Sequence, residues 1–252
     1  RSDYLNTKNL EEISYMFAET SLTKIDFSLL DTAKVLYMSN LFENCHSLKD
    51  INIKDMVTDK VKDMSHMLQG CENLQLIDMS SMKTNNLENM SYMFSDCILL
   101  SSIDLSNFNT SNVKDMSFLF DNCNSLKKVA INNFDTSKVE NMANMFSGCS
   151  YLQSLDISNF NTNNVKNMSS MFKYDKYLEK IELSKFNTKN VLDISYMFGE
   201  CISLSTLDIF HFDTSNIINI KGLFLNCINL KNLNLKNFIT SKVIDMSETF
   251  NL

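Results

Sequence analysis

Seven cysteines, Cys45, Cys71, Cys97, Cys123, Cys149, Cys201 and Cys227, are separated by 26 residues or by twice 26. Asp175 stands where the one absent member would fall. A fixed period of this size is the mark of a solenoid, in which each repeat buries its apolar face only against its neighbours. Other residue types keep the same phase. Phe42, Leu68, Phe94, Phe120, Phe146, Phe172, Phe198, Phe224 and Phe250 form one column, and Thr58 through Thr240 form another at the same interval. Methionine, used 16 times, falls in apolar columns and reads as adaptable core filling.

Residues 100–125 serve as a type repeat. Leu100, Ile103 and Leu105 alternate with Ser102 and Asp104, so a short strand is expected with Ile103 and Leu105 inward and Asp104 in solvent. Phe108 follows at a corner. Thr110, Ser111 and Asn112 offer N-cap oxygens, and Val113, Met116, Leu119 and Phe120 recur at three- and four-residue spacing. That spacing predicts a short helix with one buried face. The residues before the cysteines, Asn44, Gly70, Asp96, Asn122, Gly148, Glu200 and Asn226, are mostly types that tolerate left-handed backbone and stop a helix. Tyr15, His66, Tyr92, Phe118 and Tyr196 are expected to give partial helix–helix packing. The expectation is therefore an α/β solenoid of about nine to ten coils of strand plus short helix. Strands stack about 4.8 Å apart and a helix is about 10 Å across, which should put the parallel sheet on the concave face.

The chain carries a net charge of −7, and no Lys/Arg run is long enough to track phosphates. Nucleic acid and anionic membrane surfaces are therefore not expected partners. No stretch approaches the ~18 apolar residues of a membrane span, and Arg1 to Asn9 lack a signal-peptide pattern. Residues 1–252 read as a single repeat domain, a fragment of a longer protein that starts inside a repeat. Ends that stop mid-coil would favour self-association.

The repeat L-x-x-I-D-L-S-N-F-N-T-S-N-V-x-x-M-S-x-M-F-x-x-C resembles that of BspA-like leucine-rich-repeat surface proteins. Residues 101–123 and 153–171 carry the likeness best, and the pattern runs from Leu5 to Phe250. Tyr174-Asp175, Ala130 and Phe210-His211 depart from it. The resemblance implies a curved leucine-rich-repeat solenoid at a bacterial cell surface or secreted, with a role in adhesion or host-protein binding. It carries over no catalytic motif.

Three groups of residues are candidates for function. Stacked coils hold cysteine side chains parallel, which does not give the convergence a disulfide needs, and no C-x-x-C pair suggests zinc. Reduced, buried, structural thiols are expected. Asp26, Asp78, Asp104, Asp156, Glu182 and Asp208 occupy one outward strand column, with Asn52, Ala130 and Asn234 at its other positions. A row of carboxylates repels itself, so it needs local hydrogen bonds, nearby lysines such as Lys128 and Lys180, a basic partner segment, or calcium. Phe210 would be an exposed aromatic anchor on the same face, or ordinary repeat drift. His46, His66 and His211 lie too far apart to assemble a catalytic set, and no cofactor is indicated. The expected role is non-enzymatic binding of a host or neighbouring-cell protein. The alternatives are a structural spacer or stalk without its own ligand, or an intracellular interaction scaffold.

Overall fold

A computed structural model of the chain describes residues 7–28 and 30–251. Leu5, where the repeat pattern begins, lies outside the described residues. The chain winds as a stack of coils in which each backbone bonds to its counterpart 25 or 26 residues away. The expected strand alternation is present. Ile103 and Leu105 are buried while Asp104 is exposed. Four short strands are formed: β1 (Lys24–Asp26), β2 (Asp50–Asn52), β3 (Ser102–Asp104) and β4 (Lys128–Ala130). β1 pairs with β2 and β3 with β4, both parallel and one repeat apart in register.

The expected helix is not formed; no helix occurs among the described residues. Val113, Met116, Leu119 and Phe120 are all fully buried, as a helical face would require. They reach the core from a run of tight turns. Asp115 Oδ1 accepts the N–H of Ser117 at 2.8 Å, opening the run with an Asx turn. Phe118 and Asn122 then adopt left-handed backbone, φ 57° and 56°. Along this run the N–H groups alternate in destination. Those of Met116, Phe118, Phe120 and Asn122 cross to carbonyls of the next coil at 2.7–3.1 Å, whereas those of Asp121 and Cys123 close local turns.

Width explains the preference. A helix about 10 Å across follows a ladder spaced near 4.8 Å only by splaying outward, and a helix of two turns is marginal in any case. A turn run lies flat and bonds directly to its neighbour. Nine consecutive parallel bridges therefore join Glu12 to Asp245 on this side, whereas the strand side is paired in two places only among the described residues.

Loss of the helix also removes the reason for putting the sheet on the concave face. Equivalent rings stack from coil to coil. His66–Tyr92 and Tyr92–Phe118 stack at 4.5 and 4.2 Å on the outer turn face. Inside, Phe94 to Phe250 stack at 5.5–6.2 Å. His66, Tyr92, Phe118 and Tyr196 are the left-handed residues of the turns and form no helix contacts.

Two polar columns lock the coils. Thr136 is fully buried, and its hydroxyl donates to the Asn161 carbonyl at 2.9 Å while accepting the Asn161 N–H at 2.7 Å. Thr58, Thr84, Thr162 and Thr214 repeat this reciprocal pair, so the threonines are inter-coil clamps rather than helix caps. All seven cysteines are free and buried. Each thiol donates to the backbone carbonyl of the Phe-column residue of the preceding coil, as Cys123 Sγ does to Phe94 O at 3.1 Å.

Candidate functional site

All six acidic residues of the strand column are exposed. Most are first engaged by their own turn. Asp26, Asp78, Asp104, Asp156 and Asp208 each accept the N–H of the residue two positions on, at 2.9–3.1 Å. The serine hydroxyls of Ser80 and Ser158 add bonds of 2.6 and 2.7 Å. Hydrogen bonds to the charged form favour it. The backbone N–H of Ser28, and the hydroxyls with backbone N–H groups of Ser80, Ser106 and Ser158, therefore hold Asp26, Asp78, Asp104 and Asp156 below the usual carboxylate range. The column persists chiefly because each acid closes a corner.

Cross-coil compensation is concentrated in the first half. Asn52 Nδ2 donates to Asp26 Oδ1 at 3.0 Å, Lys24 pairs with Asp50 at 2.6 Å, and Lys54 with Asp78 at 3.6 Å. Clefts lie along this face, one of them over the paired strands β3 and β4. One, of about 720 Å³, brings together Asp78, Asp104 and Asp156 with Leu76, Lys127 and Lys128. A second, of about 730 Å³, brings together Glu182, Asp208 and Phe210 with Lys180, Thr206, Asn232 and Asn234. Asp26 lies in neither.

The second cleft differs in its chemistry. The side chains of Lys180, Glu182, Thr206 and Asn232 make no hydrogen bond or ion pair among the described residues. Phe210 is 43% exposed at a position that carries Ser80, Ser106, Ser158 and Ser184 in other coils. His211 keeps the structural task of the neighbouring column. Its Nε2 meets Leu183 O at 2.9 Å, where Asn107 Nδ2 bonds to Met79 O at 3.1 Å. The break in the consensus thus leaves the coil joined and adds an aromatic ring to the surface.

Sequence reasoning missed Leu76, Lys127, Thr206 and Asn232 as lining residues. Leu76, 62% exposed, had a readable signal, being the one apolar member of a column otherwise made of Lys, Asp, Ser, Thr and Asn. The others look like ordinary polar surface until the coils are stacked. Burial pushes the thiols of Cys71, Cys97, Cys123, Cys149, Cys201 and Cys227 up, the last to about 12. The histidines are engaged separately, His46 with Glu72 at 3.1 Å and His66 with Gln69 and Tyr92. Among the described residues no group of three or more His, Cys, Asp or Glu side chains is placed to hold a metal ion, and no helix is long and apolar enough to cross a membrane.

Comparison with known proteins adds the following. A leucine-rich-repeat protein from Eubacterium ventriosum is similar at 16% identity and TM-score 0.47, over 87% of this chain and 62% of that one. The chain thus spans less than two thirds of that protein's length. A leucine-rich cell surface protein from Faecalibacterium prausnitzii is similar at 18% identity and TM-score 0.34, over 85% and 76%. The T. pallidum leucine-rich-repeat protein is similar at 20% identity and TM-score 0.34, over 55% and 69%. No curated protein matches the chain. One family model, described as Mycoplasma protein of unknown function, DUF285, matches residues 2–102, 37–154, 99–201 and 146–252. With those four overlapping matches covering nearly every coil, the chain belongs to the DUF285 repeat family.

Proposed function

We propose that the strand face is a binding surface for a protein partner, and that residues 1–252 act as one non-enzymatic leucine-rich-repeat unit of a bacterial cell-surface protein. The partner in this reading is a host or neighbouring-cell protein, and the interaction is adhesive. The observation that carries it is the cleft around Phe210, where an exposed ring lies beside polar side chains that the fold leaves unengaged. Exposed aromatics in such settings are the usual energetic anchors of protein interfaces. Asp78, Asp104 and Asp156 in the first cleft extend the surface, and Asp26 lies at its far end.

The test is attachment of beads coated with the protein to host cells and extracellular matrix. Phe210→Ser is expected to reduce attachment most, and Asp104→Ala, Asp156→Ala and Asp208→Ala together to reduce it further. Unchanged attachment by both variants refutes the strand-face reading. The spacer reading is favoured by the unbroken turn ladder, which makes a stiff rod, and it expects no attachment by the wild type at all.

A further inference from the structure

Asp175 takes the place of a cysteine and is fully buried. Neither of its carboxyl oxygens has a hydrogen-bond partner of normal geometry, and they are the only buried side-chain oxygens or nitrogens so placed among the described residues. Elsewhere in this column a thiol donates to a carbonyl 29 residues earlier: Cys149 to Phe120 and Cys201 to Phe172. By the same register the acceptor assigned to position 175 is the Phe146 carbonyl. Only a protonated carboxyl has a hydrogen to offer it. An unpaired carboxylate in this setting is strongly disfavoured, because burial removes its water and nothing replaces it. The preceding residue adds strain. Tyr174 is held at φ 66°, where Gly148 occupies the same place one coil earlier at φ 73°.

We infer that Asp175 makes this coil a proton-dependent seam, closed when its carboxyl is neutral and opening locally as the carboxyl ionises. The groups facing it are the Cys149 and Cys201 thiols on the two flanking coils and the Asp121 carboxyl further along the stack. Burial raises Asp175 well above its ordinary value, the nearby Cys149 backbone N–H (itself bonded to the Phe146 carbonyl) opposes this, and Asp121 adds to the rise. For an acid whose folded pKa exceeds its unfolded one, stability is complete below the unfolded value near 4. It declines as pH rises toward the folded value, by up to tenfold in the opening equilibrium per pH unit. Burial also raises Asp121, to about 6, so that residue titrates with the same sign and has to be separated. The seam lies between the coils that carry Asp156 and Glu182. Its opening would therefore uncouple the two strand-face clefts.

Hydrogen exchange of the intact chain from pH 5 to pH 7, corrected for intrinsic rates, tests this. Protection of amides around 172–178 is expected to fall at least tenfold further in the wild type than in Asp175→Cys. That variant restores the thiol donor and leaves the Asp121 contribution in place. Asp175→Asn, which keeps the shape without the ionisation, is expected to share the flat profile if the cysteine variant packs badly. Equal pH dependence in wild type and variants overturns the inference. So does a wild-type profile in which this coil tracks the coil of Cys97 throughout. Neither result depends on whether the strand face binds a partner.

Discussion

The two sides of each coil are made from the same 26 residues, yet one is continuous and the other is broken. On the turn side, nine bridges run without a gap, and eight successive coils from Asp63 to Asp245 repeat an Asp or Asn that bonds two residues ahead. On the strand side, pairing is confined to β1 with β2 and β3 with β4 among the described residues, and one cleft lies over the β3–β4 pair while the other lies over coils without a named strand. The turn side has its register fixed locally, by Asx turns and left-handed residues that aim alternate N–H groups at the neighbour. The strand side has only alternation, which sets the facing but leaves the spacing to whatever the core dictates. The less constrained face is the one on which the clefts lie.

The sharpest way to break this contrast is to remove a ring from the stack. Phe146 is fully buried between Phe120 and Phe172, at 5.7 and 6.0 Å. Phe146→Ala is expected to destabilise by about 3–5 kcal/mol in denaturant titration. Thr136→Val should come next. It leaves both the N–H and the carbonyl of Asn161 without their buried partner, at about 1–3 kcal/mol for each group. A smaller effect of opposite sign is expected from Ser170→Gly. Ser170 sits at φ 55°, and relief of that strain should stabilise the chain by about 1 kcal/mol in thermal melts.

The smallest effect belongs to the strand side. Asp104→Ala should leave the melting temperature at pH 7 within experimental error, because the residue is fully exposed and only closes a corner. What it does contribute has a definite sign. With the folded pKa depressed, that contribution is present above the unfolded value near 4 and lost as pH falls through the folded value. Asp175 behaves oppositely, losing stability as pH rises. Acid and base therefore loosen different parts of one molecule, and melts at pH 3 and pH 8 of Asp104→Ala and Asp175→Cys distinguish them.

Much of the coil was legible in the residues themselves. The inward residues, the left-handed residue before each cysteine and the packing of the thiols all follow from column and phase. The helix was misread for a specific reason. Three- and four-residue spacing of Val113, Met116, Leu119 and Phe120 fits a helical face, but a run of turns closing every two residues also brings those positions to one side. The better signal was the Asp or Asn column at 63, 89, 115, 141, 167, 193, 219 and 245, two residues before a recurrent serine. That pairing is an Asx-turn signature and competes directly with helix.

The threonine column was equally visible, yet its partner was not. A hydroxyl's local options can be read from sequence, whereas a bond to a residue 25 positions on requires the coils to be laid together. The same holds for the candidate site. Asp78, Asp104 and Asp156 share a column with Glu182 and Asp208, but only the folded stack divides them between two clefts.

The period of 26 by itself determined that this chain stacks, which residues face inward and which position is anomalous, because burial and repetition act on residue type alone. Tertiary structure alone decided that turns replace helices, where neighbouring strands pair, and that Asp175 has nothing to bond to. Those outcomes depend on the distance between coils, and that distance is set by packing many rings and backbones together rather than by any one stretch of sequence.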